Sequence, residues 1–492
     1  MKANKQTVLS NFLWRFAERC GAQVVQFIVS IVLARILAPE AYGTIALVLV
    51  FANILQVFVD SGLGNALIQK KDADDLDFSS VFYFNICWCL ALYAIIYFCA
   101  PLIANFYDDQ SLTAIVRVLC LTVVISGMKN VQQAYVSRTM QFKKFFFATL
   151  FGTIMSAVMG ITLAIAGFGV WALVAQKLIN LLVDTVVLWI TVKWRPKLMF
   201  SFQRLKGLLS YGWKLLVSSL LDTVYGNLRQ IIIGKLYTES DLAYYNQGQQ
   251  FPQVIITNIN TSMDSVLFPV MSLQQDNKEQ LKNMMRRSMK ISTFIMAPLM
   301  IGLAFIAPTV VSLVLTDKWI SCVPYLRIFC ITFMFYPLHT ANLNAIKAMG
   351  RSDLFLKLEI SKKIVGLILL ISTMHLGVLV MAYSLLLSSV INQIINSWPN
   401  YKLLNYSYIE QLKDILPNIV ISVLMGISVS LVALLDLNKF VILFIQIILG
   451  IIVYFLLSLL FKNDSLNYML EIIKPMISKI FNKQKKNVKK DN

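Results

Sequence analysis

The sequence predicts an all-α integral membrane protein of about fourteen transmembrane helices: two pseudo-symmetric six-helix bundles around a central cavity, plus two C-terminal helices. Three observations carry that prediction. The chain of 492 residues is 58% hydrophobic and only 14% charged, where a soluble protein is roughly a quarter charged. So much apolar surface has no soluble core to enter, and lipid must be its solvent. The apolar runs reach the ~20 residues that a helix needs to cross the hydrocarbon, far beyond the ~10-residue alternating segments of a barrel. Finally, basic residues recur in every second loop, the pattern that sets orientation in a membrane.

In lipid a backbone amide finds no partner except within its own helix, so each apolar run reads as a helix. Spans fall near 9–36, 41–67, 79–105, 112–137, 145–166 and 170–192. The first run is too long, and too charged, for a cleavable signal, so it reads as a mature helix. Trp194-Arg195-Pro196 then breaks the pattern within a polar, basic linker. Spans resume near 209–236, 243–270, 288–315, 323–347, 355–374, 378–400, 412–435 and 439–461. Loops carrying Lys70-Lys71, Arg138 to Lys144, Lys193 to Lys206, Lys278 to Arg287 and Lys347 to Arg351 are basic; those between are short and poor in Lys and Arg. Both termini are therefore expected in the cytoplasm. The expected organisation is an N-terminal lobe over 1–192, a cytoplasmic basic linker over 193–207, a C-terminal lobe over 208–401, two additional helices over 402–461, and a cytoplasmic amphipathic and basic tail over 462–492.

The two lobes echo each other. Arg35-Ile36-Leu37-Ala38-Pro39-Glu40-Ala41-Tyr42-Gly43 closes the first span; Lys235-Leu236-Tyr237-Thr238-Glu239-Ser240-Asp241-Leu242-Ala243-Tyr244 closes the seventh. Each joins a basic residue to an acidic turn and a tyrosine. Asp60 and Asp264 recur near later helix ends. With an even number of spans in each lobe, the repeat is parallel, about an axis along the membrane normal.

Polar residues in these spans are costly in lipid and point to a cavity. Residues three and four apart share a helix face. Arg15, Arg19, Gln26 and Ser30 form one such stripe, with Glu18 beside it; Asn53, Gln56 and Asp60 form another. Ser218, Asp222, Tyr225 and Arg229 mark the seventh span, and Asn246, Gln250, Gln253, Thr257, Asn260 and Asp264 run the length of the eighth. Each has a structural alternative. Arg15 and Arg19 can snorkel to headgroups or pair with Glu18, Asp222 can pair with Arg229, and Asp60 and Asp264 can cap helices or pair with loops. Arg117, Lys129, Lys177 and Asp184 are single intramembrane charges, with Lys177 and Asp184 on one face; Arg117 and Lys177 are secondary candidates for the cavity. Arginines suit phosphate oxygens and amides suit sugar hydroxyls, so this lining fits an anionic, polyhydroxylated cargo.

Other chemistries lack their residues. No P-loop sequence occurs. The seven cysteines sit mostly in apolar runs without a CxxC, and His339 and His375 are the whole histidine complement, so no metal centre, disulfide framework or cofactor is expected. The net charge of +19 reads as orientation plus contact with anionic membrane lipids rather than nucleic acid. Asp72-Ala73-Asp74-Asp75 looks like a glycosyltransferase DxD but lies on a short loop, where a solvated turn balancing Lys70-Lys71 is the expectation.

Stretches through most of the chain resemble one family. They include Leu33-Ala34-Arg35-Ile36-Leu37-Ala38-Pro39-Glu40-Ala41-Tyr42-Gly43, Gly62-Leu63-Gly64-Asn65-Ala66-Leu67-Ile68-Gln69-Lys70-Lys71-Asp72, Gly167-Phe168-Gly169-Val170-Trp171-Ala172-Leu173-Val174, Leu242-Ala243-Tyr244-Tyr245-Asn246-Gln247-Gly248, Phe268-Pro269-Val270-Met271-Ser272 and Ala345-Ile346-Lys347-Ala348-Met349-Gly350-Arg351. In order and spacing they resemble the polysaccharide-transporter branch of the multidrug/oligosaccharidyl-lipid/polysaccharide (MOP) flippase superfamily, exporters of lipid-linked O-antigen, colanic acid or teichuronic acid units. The resemblance implies two six-helix bundles in a V and alternating access. It implies a polyprenyl-diphosphate-linked oligosaccharide as cargo, moved to the outer leaflet of a bacterial inner membrane, with polysaccharide polymerase machinery as a partner. It implies that cavity cations hold the diphosphate, a role that Arg15, Arg19 and Arg229 fit. An ion-coupled small-molecule antiporter of the same fold and a membrane glycan polymerase or ligase are the alternatives; short outer loops count against the enzyme.

Overall fold

A computed structural model describes the backbone of residues 5–60, 63–469 and 471, and the side chains of these except 5–13, 15–20, 211, 214, 262 and 265. The described residues form helices and turns, with no strand among them. The helices are α1 (Lys5–Ile36), α2 (Pro39–Asp60), α3 (Leu63–Gln69), α4 (Asp75–Tyr107), α5 (Leu112–Leu119), α6 (Leu121–Arg138), α7 (Lys143–Ile165), α8 (Val170–Thr191), α9 (Phe202–Leu236), α10 (Glu239–Ser272), α11 (Lys278–Val314), α12 (Val323–Met334), α13 (Tyr336–Ala348), α14 (Ser352–Thr373), α15 (Val378–Leu404), α16 (Tyr408–Leu431) and α17 (Lys439–Leu460).

Ten helical stretches among the described residues are long and apolar enough to cross a membrane, two of them made of consecutive short helices. The chain is a multi-pass membrane protein. Helices α1, α9, α10 and α14 are 32, 35, 34 and 22 residues long but fall outside that set. The first three carry the polar stripes read from sequence, and α14 begins with Asp353, Lys357, Glu359, Lys362 and Lys363. Polarity sets α9, α10 and α14 apart, whereas the stretch Gly21–Ile36 of α1 is an apolar helix of shorter length.

The chain divides into two compact units, Met1–Ala243 and Tyr244–Asn492. In the first, α7 and α8 are joined through Gly167 and Gly169 at φ 84° and 54°, a backbone region open to glycine at little cost. Small residues line their seam: a Cβ at Gly152 would lie 2.8 Å from the carbonyl oxygen of Asn180. Such close approach is how helices gain packing where lipid removes the hydrophobic drive between them. Trp14 of α1 meets Phe146 of α7 edge-on, ring centroids 5.2 Å apart.

The start of α4 is a polar clamp. Asp74 caps the helix, accepting from the amide of Asp77 while Asp77 accepts from the amide of Asp74. Buried Asp77 also takes Lys70 at 2.6 Å, and Arg204 reaches Asp74 at 2.6 Å. The indole of Trp194 donates to Asp75 at 3.2 Å. Backbone amides of Lys197 and Ser201 donate to the hydroxyls of Ser79 and Ser80. The acidic run is thus more than the expected solvated turn: Asp74 and Asp75 fasten the linker to α4.

In the second unit, buried amides join α13, α15 and α16. Asn342 donates to Gln411 at 2.9 Å, and Asn400 donates to Asn342 at 2.8 Å. Beside them the hydroxyl of Tyr406 donates to Asp414, which Arg286 also holds at 2.7 Å. Lys290 lies 3.5 Å from Asp414 and 3.1 Å from Asp464, tying the segment after α17 to α11.

Three features recur in both units. An interrupted helix breaks at Cys120 between α5 and α6, and at Phe335 between α12 and α13. The Nε of an arginine on the helix before that break donates to a backbone carbonyl of the preceding long helix: Arg117 to Tyr97 at 3.2 Å, Arg327 to Ala304 at 3.1 Å. Finally, an asparagine beyond the break donates to an aspartate: Asn130 to Asp60 at 3.4 Å, Asn344 to Asp264 at 2.7 Å.

Candidate functional site

The first unit contains a polar cavity of about 390 Å³, lined from α2 by Leu49, Ala52, Asn53, Gln56 and Asp60, from α5 by Leu119, from α6 by Thr122, Ser126, Lys129, Asn130 and Gln133, and from α8 by Lys177 and Leu181. Its volume falls in the range of small-molecule sites. Helical geometry builds it. Asn53, Gln56 and Asp60 are spaced three and four apart, as are Thr122, Ser126, Lys129 and Gln133, so each set projects from one face.

Charge in the cavity is unevenly committed. Lys129 is paired with Asp184, the two side chains only 13% and 11% exposed. Asp60 accepts from Gln56 at 3.2 Å and from Asn130 at 3.4 Å, both on Oδ1. Lys177 is exposed into the cavity and has no ion-pair partner among the described residues.

These contacts refine the sequence reading. Lys177 and Asp184 share a helix face, but Asp184 is bound to Lys129 on the neighbouring helix. Lys129 and Asp184 are therefore a pair rather than single charges. Asp60 and Asp264, expected as caps or loop partners, instead bond to asparagines of α6 and α13. Arg117 is a local anchor: its guanidinium lies 4.2 Å from the centroid of Tyr97, whose carbonyl it also binds. It is absent from the cavity lining. The structure brings Lys177 together with Asn53, Gln56 and Asp60. Asn130 and Gln133 complete the cavity and were missed, although their place on the Lys129 face was visible in the spacing.

The remaining candidates lie on three helices. Arg15 and Arg19 fall on α1 at positions whose side chains lie outside the described residues, whereas Gln26 of α1 is exposed. On α9, Asp222 is exposed, Tyr225 is half-buried and Arg229 is buried, 9% exposed. On α10, Gln250 is half-buried, Gln253 donates to Thr257 at 3.0 Å, and Asn260 accepts from the hydroxyl of Thr340.

A protein family described as "Polysaccharide biosynthesis protein" matches residues 32–324, more than half of the chain. The chain belongs to this family. Among curated relatives, this family member is 25% identical over 378 residues to the teichuronic acid biosynthesis protein TuaB of Bacillus subtilis (76% of this chain, 78% of that protein). It is 24% identical to the succinoglycan biosynthesis transport protein ExoT of Rhizobium meliloti (67% of each chain) and 23% identical to the lipopolysaccharide biosynthesis protein WzxC of Escherichia coli (80% and 83%). The fold of this family member matches that of the lipid II flippase MurJ in an inward closed conformation, at a TM-score of 0.73 and 16% identity over 92% of this chain and 100% of that one. It also matches an inward-facing multidrug resistance MATE family transporter of the MOP superfamily, at a TM-score of 0.61 and 16% identity over 78% and 96%. These likenesses show a shared helical fold.

Proposed function

We propose that this protein is a flippase that moves a polyprenyl-diphosphate-linked oligosaccharide from the cytoplasmic to the outer leaflet of a bacterial inner membrane, supplying surface polysaccharide synthesis. The observation that carries this reading is the joining of a polysaccharide-biosynthesis sequence family to the fold of a lipid II flippase. TuaB, ExoT and WzxC differ in the polysaccharide they are named for, and what unites those names is biosynthesis or transport of a polysaccharide.

In this reading fourteen spans form two six-helix lobes over 1–192 and 208–401, with both termini in the cytoplasm and a polymerase receiving the product. The recurring interrupted helices, arginine anchors and Asp–Asn bonds support a duplication. Arg15, Arg19 and Arg229 take the diphosphate, with Gln26, Asp222, Tyr225, Gln250, Gln253 and Asn260 as the polar lining around it. Guanidinium groups offer a fixed fork to phosphate oxygens. Alternating access then requires that the cargo bind the two conformations with different affinity. Arg15→Ala and Arg229→Ala are expected to lower transport by about tenfold or more, the scale of one charge-assisted hydrogen bond, with membrane insertion unchanged. Surface polysaccharide scored in cells carrying only the variant checks this, and full transport by both removes them from the site.

The likeness to a MATE transporter favours a second reading, ion-coupled efflux of small molecules. Gradient-driven efflux of organic cations from vesicles holding the purified chain, without movement of a lipid-linked glycan, would decide for it.

A further inference from the structure

The segment between α8 and α9 turns its apolar side chains outward while its backbone is held in place. Leu198 is 98% exposed, Phe202 67% and Phe200 53%. Leu198 stands at the tip of a three-residue turn, closed by the Met199 amide, which donates to the Lys197 carbonyl at 2.7 Å. The turn is pinned on both sides. The amides of Lys197 and Ser201 donate to the hydroxyls of Ser79 and Ser80 at 3.1 and 2.9 Å, and the Lys197 ammonium meets Asp75 at 2.5 Å. Leaving a leucine and two phenylalanines in water is costly, and a fixed backbone cannot fold them inward. The segment lies beyond the apolar span that ends at Thr191, so the hydrocarbon core does not account for them.

Cations accompany these tips. Over residues 70–77 and 193–206, seven lysines and arginines stand against four aspartates. Lys71, Lys193 and Lys206 are exposed and have no ion-pair partner among the described residues. Arg204 meets Asp74 and Asp77 through one terminal nitrogen, which leaves Nε and the other terminal nitrogen for a further acceptor. With Lys70, Gln69 and Gln203 it lines a cavity of about 520 Å³ whose apolar wall includes Ala66 and Leu208. A free phosphate would satisfy these cations and leave the apolar tips in water; an uncharged protein surface would do the reverse. An anionic phospholipid supplies both halves, and it is at hand, because Leu198 follows Thr191, the last residue of α8, by only seven positions. We infer that this segment is an interfacial anchor for anionic phospholipid. Leu198, Phe200 and Phe202 enter the boundary between headgroups and acyl chains, the free lysines hold headgroups, and Arg204 takes one lipid phosphate at the cavity. The anchor serves whatever cargo the protein carries and stands apart from the flippase reading.

The test uses the full chain. With Leu198 replaced by the photoreactive p-benzoylphenylalanine, the protein is placed in vesicles of phosphatidylcholine and phosphatidylglycerol and irradiated, and mass spectrometry identifies what the side chain touches. Native mass spectrometry of the unlabelled protein, offered the two lipids in equal amounts, reads preference. The expected result is a phospholipid adduct at position 198 and retention of phosphatidylglycerol over phosphatidylcholine. Lys193→Gln combined with Lys206→Gln, which breaks no ion pair, is expected to lower that preference about tenfold, the scale of a charge-assisted hydrogen bond. Arg204→Lys keeps a charge beside Asp74 but loses the guanidinium fork, and is expected to release the most tightly held phosphatidylglycerol several-fold more readily. An adduct with a second copy of the chain, or no adduct at all, overturns the inference, because the tips then meet protein or water. Equal retention of the two lipids by the wild type overturns it as well, as does a double lysine variant with the wild-type preference. Displacement of the bound lipid by glycerol phosphate would show a site for free phosphate instead. Every readout is taken without cargo, so a failure of transport leaves it untouched.

Discussion

Lys129 and Asp184 place two opposite charges in a nearly enclosed space, and the energetics of such a pair are lopsided. Removing one partner strands the other, at a cost of about 3–5 kcal/mol, whereas replacing both with apolar side chains is often neutral. Lys129→Met and Asp184→Leu are each expected to lower thermal stability in detergent sharply. The double variant should recover most of the loss, a coupling that a double-mutant cycle reads directly. Singles indistinguishable from wild type would show that the pair carries no stability. The pair was invisible in the sequence. Helical spacing reports which residues share a face of one helix, and so it linked Lys177 to Asp184, seven apart on α8. It does not report which helix lies opposite, and the true partner of Asp184 is 55 residues away on α6. For the same reason Asn53, Gln56 and Asp60 were legible as a stripe, while their junction with Asn130, Gln133 and Lys177 was not.

Helix ends and helix contacts give sharper expectations, because backbone atoms cannot move aside as side chains do. A Cβ at Gly43 of α2 would lie 2.0 Å from the carbonyl oxygen of Glu239 at the start of α10. Around that contact Thr44 donates to Glu239 at 2.9 Å and Ser240 donates to Glu40 at 2.7 Å. The two segments that echo each other in sequence are therefore fastened reciprocally at their acidic turns. Gly43→Ala is expected to cost about 1–3 kcal/mol by overpacking. Gly21→Ala, where nothing lies within 4 Å, is expected to be neutral or slightly stabilising because alanine favours the helix. Melting temperatures of the two variants in the same detergent compare them, and equal values would contradict the close approach. At the opposite end of the unit, the N-cap of α4 links helix formation to the linker. Asp74→Ala is expected to cost about 1 kcal/mol, with faster proteolysis near Lys197 as the local readout. The hydrogen bond from Arg204 holds the Asp74 carboxyl below the usual carboxylate range. Its contribution is thus complete above the ordinary value of about 3.9 and is lost as pH falls through the depressed one.

For the whole molecule, composition and loop charge were enough to read a helical membrane protein, since lipid permits few ways to satisfy a backbone. Sequence spacing also placed polar stripes on α9 and α10, and those helices, with α14, are too polar to pass as simple apolar spans. A transporter pathway requires that conflict: helices that face water within the bilayer cannot be uniformly apolar. The interrupted helices at Cys120 and Phe335 were beyond reach, because each pair of short helices reads as one unbroken apolar run. Carriage of a lipid-linked glycan across the bilayer is the proposed activity. Its most direct test is a vesicle containing only this protein, with a fluorescent polyprenyl-diphosphate oligosaccharide in one leaflet and a membrane-impermeant quencher outside. The fraction open to quenching is expected to change over time with the protein present and to stay fixed in protein-free vesicles. A fraction that stays fixed with the folded, inserted protein present would contradict it.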